Sequence, residues 1–383
     1  MQDGPKDNRR GVPHSSHWGA FTAEIADGRL VGVQPAERDR DPSPILRSIP
    51  SAVHGASRVA RPSVRRGWLE AHEKSNPSAN REARGSEPFV ELPWDEALAL
   101  VASELGRVRD MHGNAAIFGG SYGWSSAGRF HHAKTLLQRF LNTIGGFTGQ
   151  KHTYSIAAGY AILPHVIGEA AIAMSGATAW PSIVADCELF VAFGGVPAKN
   201  LQVSSGGLGE HVSHGFLKQA ARAGVTFVNV SPVRDDTDAA IGAEWLALRP
   251  NTDTALMLGL AHTLETEDLV DRDFLSRYCV GYSRFCAYLS GRADGTPKDA
   301  DWAAAICGIG PDRIRTLARR MARSRTMIST NWSLQRADHG EQPFWMTVTL
   351  AAMLGQIGLS GGGFAFGYGS MGGNGTPRID VPS

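Results

Sequence analysis

Apolar and polar residues alternate over Gly19–Pro35 (GAFTAEIADGRLVGVQP), which predicts two strands joined at Asp27-Gly28, a residue pair suited to a two-residue hairpin turn. Ahead of them, residues 1–16 are polar and aperiodic, and are expected to be disordered. A Pro- and Arg-rich stretch without periodicity runs to about residue 90. The spacing of Leu98, Leu100, Val101, Leu105 and Val108 then predicts an amphipathic helix, and NAAIFGG (Asn114–Gly120) a short buried strand. A second helix is expected within Ser126–Gly146, stopped by Gly145-Gly146.

Beyond Trp180 the period changes. CELFVAFGG (Cys187–Gly195), VTFVNVSP (Val225–Pro232) and MISTNWS (Met327–Ser333) read as strands, and HGFLKQAARAG, TDTALMLGLAHTLE and RIRTLARRMARS as helices between or beside them. This rhythm implies a parallel sheet with crossover helices. The expected class is α/β: a Rossmann-like parallel-sheet lobe (161–330) beside a mixed α+β N-terminal lobe (17–160). Residues 331–383 are expected to return toward the first lobe.

Composition narrows this picture. A chain of 383 residues exceeds what one core usually serves, so several lobes are expected. A net charge of +1 argues against a general polyanion binder, and no nucleic-acid module is present. The arginines concentrated between Arg38 and Arg84 read as solvated loops. Cys187, Cys279, Cys286 and Cys307 form no CxxC pair, and no thiol accompanies His14 and His17, so reduced cysteines and no iron–sulfur cluster are expected. No stretch has the length of a membrane span, and the Arg9-Arg10 pair lacks the apolar run of an export signal. A cytoplasmic location follows as the expectation.

Candidate chemistry starts at Tyr122 and Trp124, two directional donors on rigid rings. Ser155 follows a Gly-rich loop and opens a small-residue helix; its oxygen is a possible metal ligand. Core aromatics and a helix cap are the plainer alternatives. At the predicted strand ends, Lys199 in FGGVPAKN and Asn229, Ser231 and Arg234 in NVSPVRDDT suit phosphate and ribose, or form ordinary turns. Asp253 suits a helix N-terminus. His131 and His132 face different sides of a helix, and Asp235, Asp236 and Asp238 lack calcium-loop spacing.

Several blocks carry a resemblance: HWGAF, SRVARPSVRRGWL, LPWDEAL, Gly119–Pro164, TAWP, DTALMLGLAHTL, NWSLQRADHGEQPFWM and LAAMLGQIGLSGGGF. Together they resemble the dimethyl sulfoxide reductase family of molybdopterin oxidoreductases, most of all its biotin sulfoxide reductase branch, over the N-terminal half of such proteins. The resemblance implies a molybdenum bis(molybdopterin guanine dinucleotide) cofactor with Ser155 as metal ligand. It implies Tyr122 and Trp124 as donors to substrate oxygen or cofactor, and the Lys199 and Asn229–Arg234 loops as grips for one guanosine diphosphate arm. Asp253 is implied to read the guanine amino edge. Trp332, Gln335, Arg336 and Gly361 are implied to lie around the cofactor, with His339 left open. Two departures stand out: Ser231-Pro232 replaces an acid–proline pair, and His152-Thr153-Tyr154 replaces the more usual lead-in to the serine.

The activity implied is reduction of a sulfoxide of the biotin, methionine or dimethyl sulfoxide type, with N-oxide reduction as an alternative. Electrons would come from NADPH or a redox protein. Because family members run to roughly twice this length, the C-terminal domain is expected to be missing. Two arrangements follow from that: completion by a C-terminal half polypeptide, or a non-catalytic fragment binding one dinucleotide or none.

Overall fold

The computed structural model describes residues 9–74, 81–121, 126–127, 132–173 and 176–376. Strands β1 (Arg10–Ser16), β2 (Gly19–Ala26) and β3 (Arg29–Pro35) form one sheet in that order. The expected hairpin is β2–β3, and its turn has positive φ at both Asp27 (48°) and Gly28 (75°). Two consecutive left-handed residues match the right-handed twist of the strands they join. β1 corrects the expectation of disorder through residue 16. Its side chains are almost all exposed, so its order comes from ladder hydrogen bonds, which leave no apolar pattern in the sequence.

The described residues divide into two compact units. The first takes in most of residues 44–150 together with Phe21–Gln34. It holds β4 (Ser63–Arg65) antiparallel to β5 (Phe89–Glu91), and β6 (Phe118–Gly119) parallel to β7 (Thr148–Gly149). The Trp94–His112 helix carries Asp95 and Glu96 in its first turn and Arg109 and His112 in its last, complementing the helix dipole at both ends. No residue of that helix is buried, and Trp94, Leu98 and Val101 are more than half exposed. The strand expected over Asn114–Gly120 shrinks to two residues, with Phe118 exposed. The Ala133–Thr143 helix ends at glycines of φ 110° and 104°, as the Gly145-Gly146 pair predicts.

The second unit includes Lys151 to Thr376 and is built on a five-stranded sheet. Its strands are β8 (Leu189–Phe193), β9 (Thr226–Val230), β10 (Glu244–Leu246), β11 (Thr326–Thr330) and β12 (Gly363–Phe366), in the spatial order β10-β9-β8-β11-β12. Every neighbouring pair is parallel. All five residues of β8 are buried, because helices cover both faces. Leu189, Val191 and Phe193 pack with Val228, Ile328 and the Asp253–Thr266 and Pro311–Arg323 helices. Phe190 and Ala192 point the other way, toward Trp180, Leu217 and Phe227.

The last segment differs from expectation. Residues 331–376 belong to the parallel-sheet unit: β12 becomes its edge strand, and the Gln342–Met353 helix packs into both the main core and a third cluster of Ile156, Leu163, Trp332 and Phe366. Pairing β12 beside β11 buries the apolar GFAF run, which no shorter-range signal reveals.

Gly361 precedes β12 at the amino-terminal end of the sheet, with φ 71°. A Cβ there would lie 2.5 Å from the Cys187 nitrogen and 2.6 Å from the Asp186 carbonyl carbon, both backbone atoms. Gly361→Ala is expected to lower unfolding free energy by about 1–3 kcal/mol, from left-handed strain and backbone collision. Urea unfolding of the full chain measures it; an unchanged midpoint would refute the account.

Candidate functional site at the carboxyl ends of the parallel strands

Leu246, Val230, Phe193, Thr330 and Phe366 end their strands as direct register partners. Five loops therefore leave the sheet along one level line, roughly 19 Å wide at about 4.8 Å per strand. Chain order runs outward from β8 to β10 on one side and from β11 to β12 on the other, so the direction reverses between β8 and β11. Loops diverge at such a point and leave a crevice, where doubly wound sheets bind their ligands.

The expected residues fall along this line in spatial order. Beyond β10, Asp253 opens the Asp253–Thr266 helix. At β9 stand Asn229, Ser231 and Arg234. Past β8 come Gly194, Gly195 and Lys199, the last in the one-turn Ala198–Leu201 helix. Past β11 follow Asn331, Trp332, Gln335 and Arg336. Gly361 is the exception, standing at the opposite end of the sheet against Asp186 and Cys187. It is a packing glycine here, which corrects its assignment to the cofactor.

Gly194 and Gly195 are required by the backbone. Their φ angles are 82° and 69°, and a Cβ on Gly195 would come within 2.2 Å of the Asp236 carbonyl oxygen. Asn331 holds the crossing point, its Nδ2 donating to the Gly194 carbonyl at 3.3 Å and its Oδ1 accepting from Ser370 Oγ at 2.8 Å.

Ser155 sits half-buried, two residues ahead of the Ala157–Ile167 helix. It does not cap that helix; Ile156 occupies the cap position. Gln335 fixes the loop. Its Oε1 accepts from the Ala158 N–H at 3.1 Å, and its Nε2 donates to the Tyr154 carbonyl. One buried amide thus grips the backbone on both sides of Ser155 and ties it to the carboxyl end of β11, beside the switch point. The Ala158 N–H is one of the donors every helix start leaves unpaired, so the clamp also completes the helix.

Trp332 and Ser231 engage their polar atoms within the protein. Trp332 is 5 % exposed, and its indole N–H is taken by the Ala173 carbonyl at 2.9 Å. It therefore acts as a core residue, with no donor to spare for a ligand. Ser231 is buried; its Oγ accepts from the Val233 N–H at 3.1 Å and donates to Asp236 Oδ2 at 2.6 Å, so it faces inward. Arg234 is exposed, its guanidinium carbon 6.0 Å from the Trp245 ring centre. Lys199 and Arg336 are exposed. His339 is exposed in a left-handed turn of φ 53°, and Gln342 donates to Glu341. Tyr122 and Trp124 lie outside the described residues.

One buried amide oxygen at this edge lacks a donor. Asn229 is 2 % exposed, its Nδ2 bonds the Arg234 carbonyl at 3.1 Å, and its Oδ1 has no partner. Asp253 is buried too, with no cation paired to it among the described residues; burial pushes its carboxyl up to about 6, against a smaller opposing effect of its own backbone N–H. Sequence reading missed Asp236 as a site residue and Asn331 altogether; the polar ending of an otherwise apolar strand was the available signal. The four cysteines are free thiols, and burial pushes Cys187 up to about 12, which makes it inert.

Comparison with known proteins now bears on this edge. The molybdopterin oxidoreductase model matches residues 58–382, and the molybdopterin oxidoreductase N-terminal domain matches 14–54. The chain belongs to the molybdopterin oxidoreductase family. It is 48% identical over 347 residues to a biotin sulfoxide reductase of Cereibacter sphaeroides, covering 91% of this chain and 46% of that protein. A dimethyl sulfoxide/trimethylamine N-oxide reductase of the same organism is 44% identical, covering 97% and 44%. A trimethylamine-N-oxide reductase of Haemophilus influenzae is 40% identical, covering 93% and 42%. Among solved structures, acetylene hydratase from Pelobacter acetylenicus shares the fold, with a TM-score of 0.56 at 22% identity over 90% of this chain and 42% of that one. The chain spans less than half the length of the curated relatives it matches.

Family membership implies a molybdopterin cofactor, and the residues at the edge fit one. The unpaired buried Oδ1 of Asn229 suits a ligand that carries N–H or O–H groups, the Gly194-Gly195 turn admits close backbone approach, and exposed Lys199 and Arg234 supply positive charge.

Two outcomes test these placements. A carboxyl raised from about 4 in the unfolded chain to about 6 in the folded one makes the folded state the better proton binder between those values, so stability falls as pH rises through that window and stays low above it. Asp253→Asn should therefore stabilise the ligand-free chain by about 2–3 kcal/mol at pH 7.5 and by little at pH 4; urea titrations at both pH values decide it, and an equal effect at each would contradict it. Gln335→Ala should cost about 1–3 kcal/mol and accelerate amide exchange at Ala158, while exchange in β8 stays unchanged. Protection at Ala158 equal to that of the unsubstituted chain would rule the clamp out.

Proposed function

We propose that this chain takes part in molybdenum-dependent oxygen-atom transfer, reducing a sulfoxide of the biotin, methionine or dimethyl sulfoxide type to a thioether. The observation that carries this reading is the joining of the Ser155 loop, through Gln335, to the strand edge that presents Asn229 and Asp253. The named relatives, reductases of sulfoxides and N-oxides, support the reaction class. Reduction of an N-oxide is the second reading, favoured by the likeness to a trimethylamine-N-oxide reductase.

The cofactor is taken to be a bis(molybdopterin guanine dinucleotide), with no iron–sulfur cluster. When bound, it supplies the two-electron redox chemistry, and the protein supplies position and charge. Ser155 offers its hydroxymethyl oxygen as the protein ligand. Gln335 keeps that oxygen aimed by gripping the loop on either side. Asp253, stripped of water, accepts hydrogen bonds from the guanine edge, by the logic through which acidic side chains select amino-bearing bases. Tyr122 donates its O–H to the substrate oxygen, an interaction that strengthens as negative charge develops there. Trp124 donates its indole N–H beside it.

The net reaction consumes two electrons and two protons and yields thioether and water. NADPH or a redox protein is the electron source. The reading places the protein in the cytoplasm.

Purified protein with matched molybdenum content tests the reading. Ser155→Ala should slow sulfoxide reduction by at least about a thousandfold, and Tyr122→Phe by about ten- to a hundredfold. If both variants reduce sulfoxide at the parental rate, the assignment fails.

A further inference from the structure

Asn229 lies in β9, and Ser231 follows the strand's last residue, Val230. The loop that follows folds back over them. The Arg234 carbonyl takes the Asn229 Nδ2, and Asp236 Oδ2 takes the Ser231 hydroxyl at 2.6 Å. A carbonyl accepts only, so the Asn229 amide must present its NH₂ there, and the buried Oδ1 is the atom left without a donor. Ser231 is engaged too: its oxygen accepts from the Val233 N–H and its one proton goes to Asp236.

Asp236 is anchored from the other side as well. Its carbonyl accepts from the Val196 N–H at 2.7 Å, and Val196 pairs with Thr237 in a parallel bridge. The missing Cβ of Gly195 makes room for that carbonyl. The carboxylate is thus fixed between the ends of β8 and β9, half-buried, and among the described residues nothing donates to its second oxygen. One anionic and one neutral acceptor suit a pair of hydroxyl donors better than a divalent cation, which gathers several anionic oxygens. In doubly wound sheets an acidic side chain past the second strand meets a nucleotide's ribose hydroxyl.

We propose that Asp236, oriented by Ser231 and seconded by Asn229, accepts the ribose diol of the cofactor's nucleotide arm. The inference rests on the nucleotide reading given under the proposed function and assigns a residue within it. Ser231 is a positioning residue; Asp236 is the contact.

Calorimetric titration of the full chain with guanosine diphosphate and with 2′,3′-dideoxyguanosine diphosphate tests this without turnover. Asp236→Ala should weaken guanosine diphosphate about tenfold and leave the dideoxy compound unchanged. Ser231→Ala should give a smaller loss with the same selectivity, and Asp236→Asn, which keeps an acceptor for Ser231 and guards against misfolding, should lie between Asp236→Ala and the parent. Equal losses for both nucleotides, or none, overturn the diol assignment while leaving the nucleotide edge standing. Failure of guanosine diphosphate to bind the unsubstituted chain overturns both.

Discussion

Parallel pairing in register is the constraint from which the second unit follows. Parallel strands cannot be joined by tight turns, so each must be reached by a crossover that returns the chain to the same starting end. The helices that make those crossovers cover both faces and demand the uninterrupted apolar run LFVAF. Because the five strands stop on one line, the polar residues just past them are neighbours without any further device. Asn229, Gly194 and Asn331 are separated widely in sequence and meet there for that reason alone.

The serine loop is brought to the same edge by a different force. Its lead-in carries a left-handed His152 of φ 66° and an exposed Tyr154, neither of which anchors it through apolar burial. Anchoring comes from Ile156 in the third core cluster and from the Gln335 amide. Gly159 contributes by absence: a Cβ would lie 3.0 Å from the Phe344 ring, so the helix after the serine packs close against the Gln342–Met353 helix. A comparable buried polar tie fastens Asp39 to His211, whose Nδ1 lies 2.7 Å from Oδ2 and whose Nε2 lies 3.1 Å from the Gln202 carbonyl. Such ties hold irregular segments where no ladder exists to order them.

Much of this was legible in the sequence where a residue's neighbours in space are also near in the chain. The Asp27-Gly28 turn, the Gly145-Gly146 stop and the LFVAF strand all have local causes. The weaknesses share one origin. β1 and β12 are ordered by partners that no local periodicity announces. The Trp94–His112 helix has the predicted pattern, yet none of its apolar side chains is buried, so periodicity gave the helix and not its packing. At the site, the direction of each polar atom was not legible. Ser231 and Trp332 point their polar atoms inward, and Gly361 is needed by Asp186 and Cys187, because hydrogen-bond direction and close approach depend on chain folded in from elsewhere.

The dry carboxyl at the start of the Asp253–Thr266 helix has a thermodynamic corollary. Under the proposed function, a base edge donating to it would favour its anion, so ligand uptake in mildly acidic solution would expel part of a proton. Heats of association measured there would vary with the ionisation enthalpy of the buffer, and affinity would rise with alkalinity until that acid is already spent.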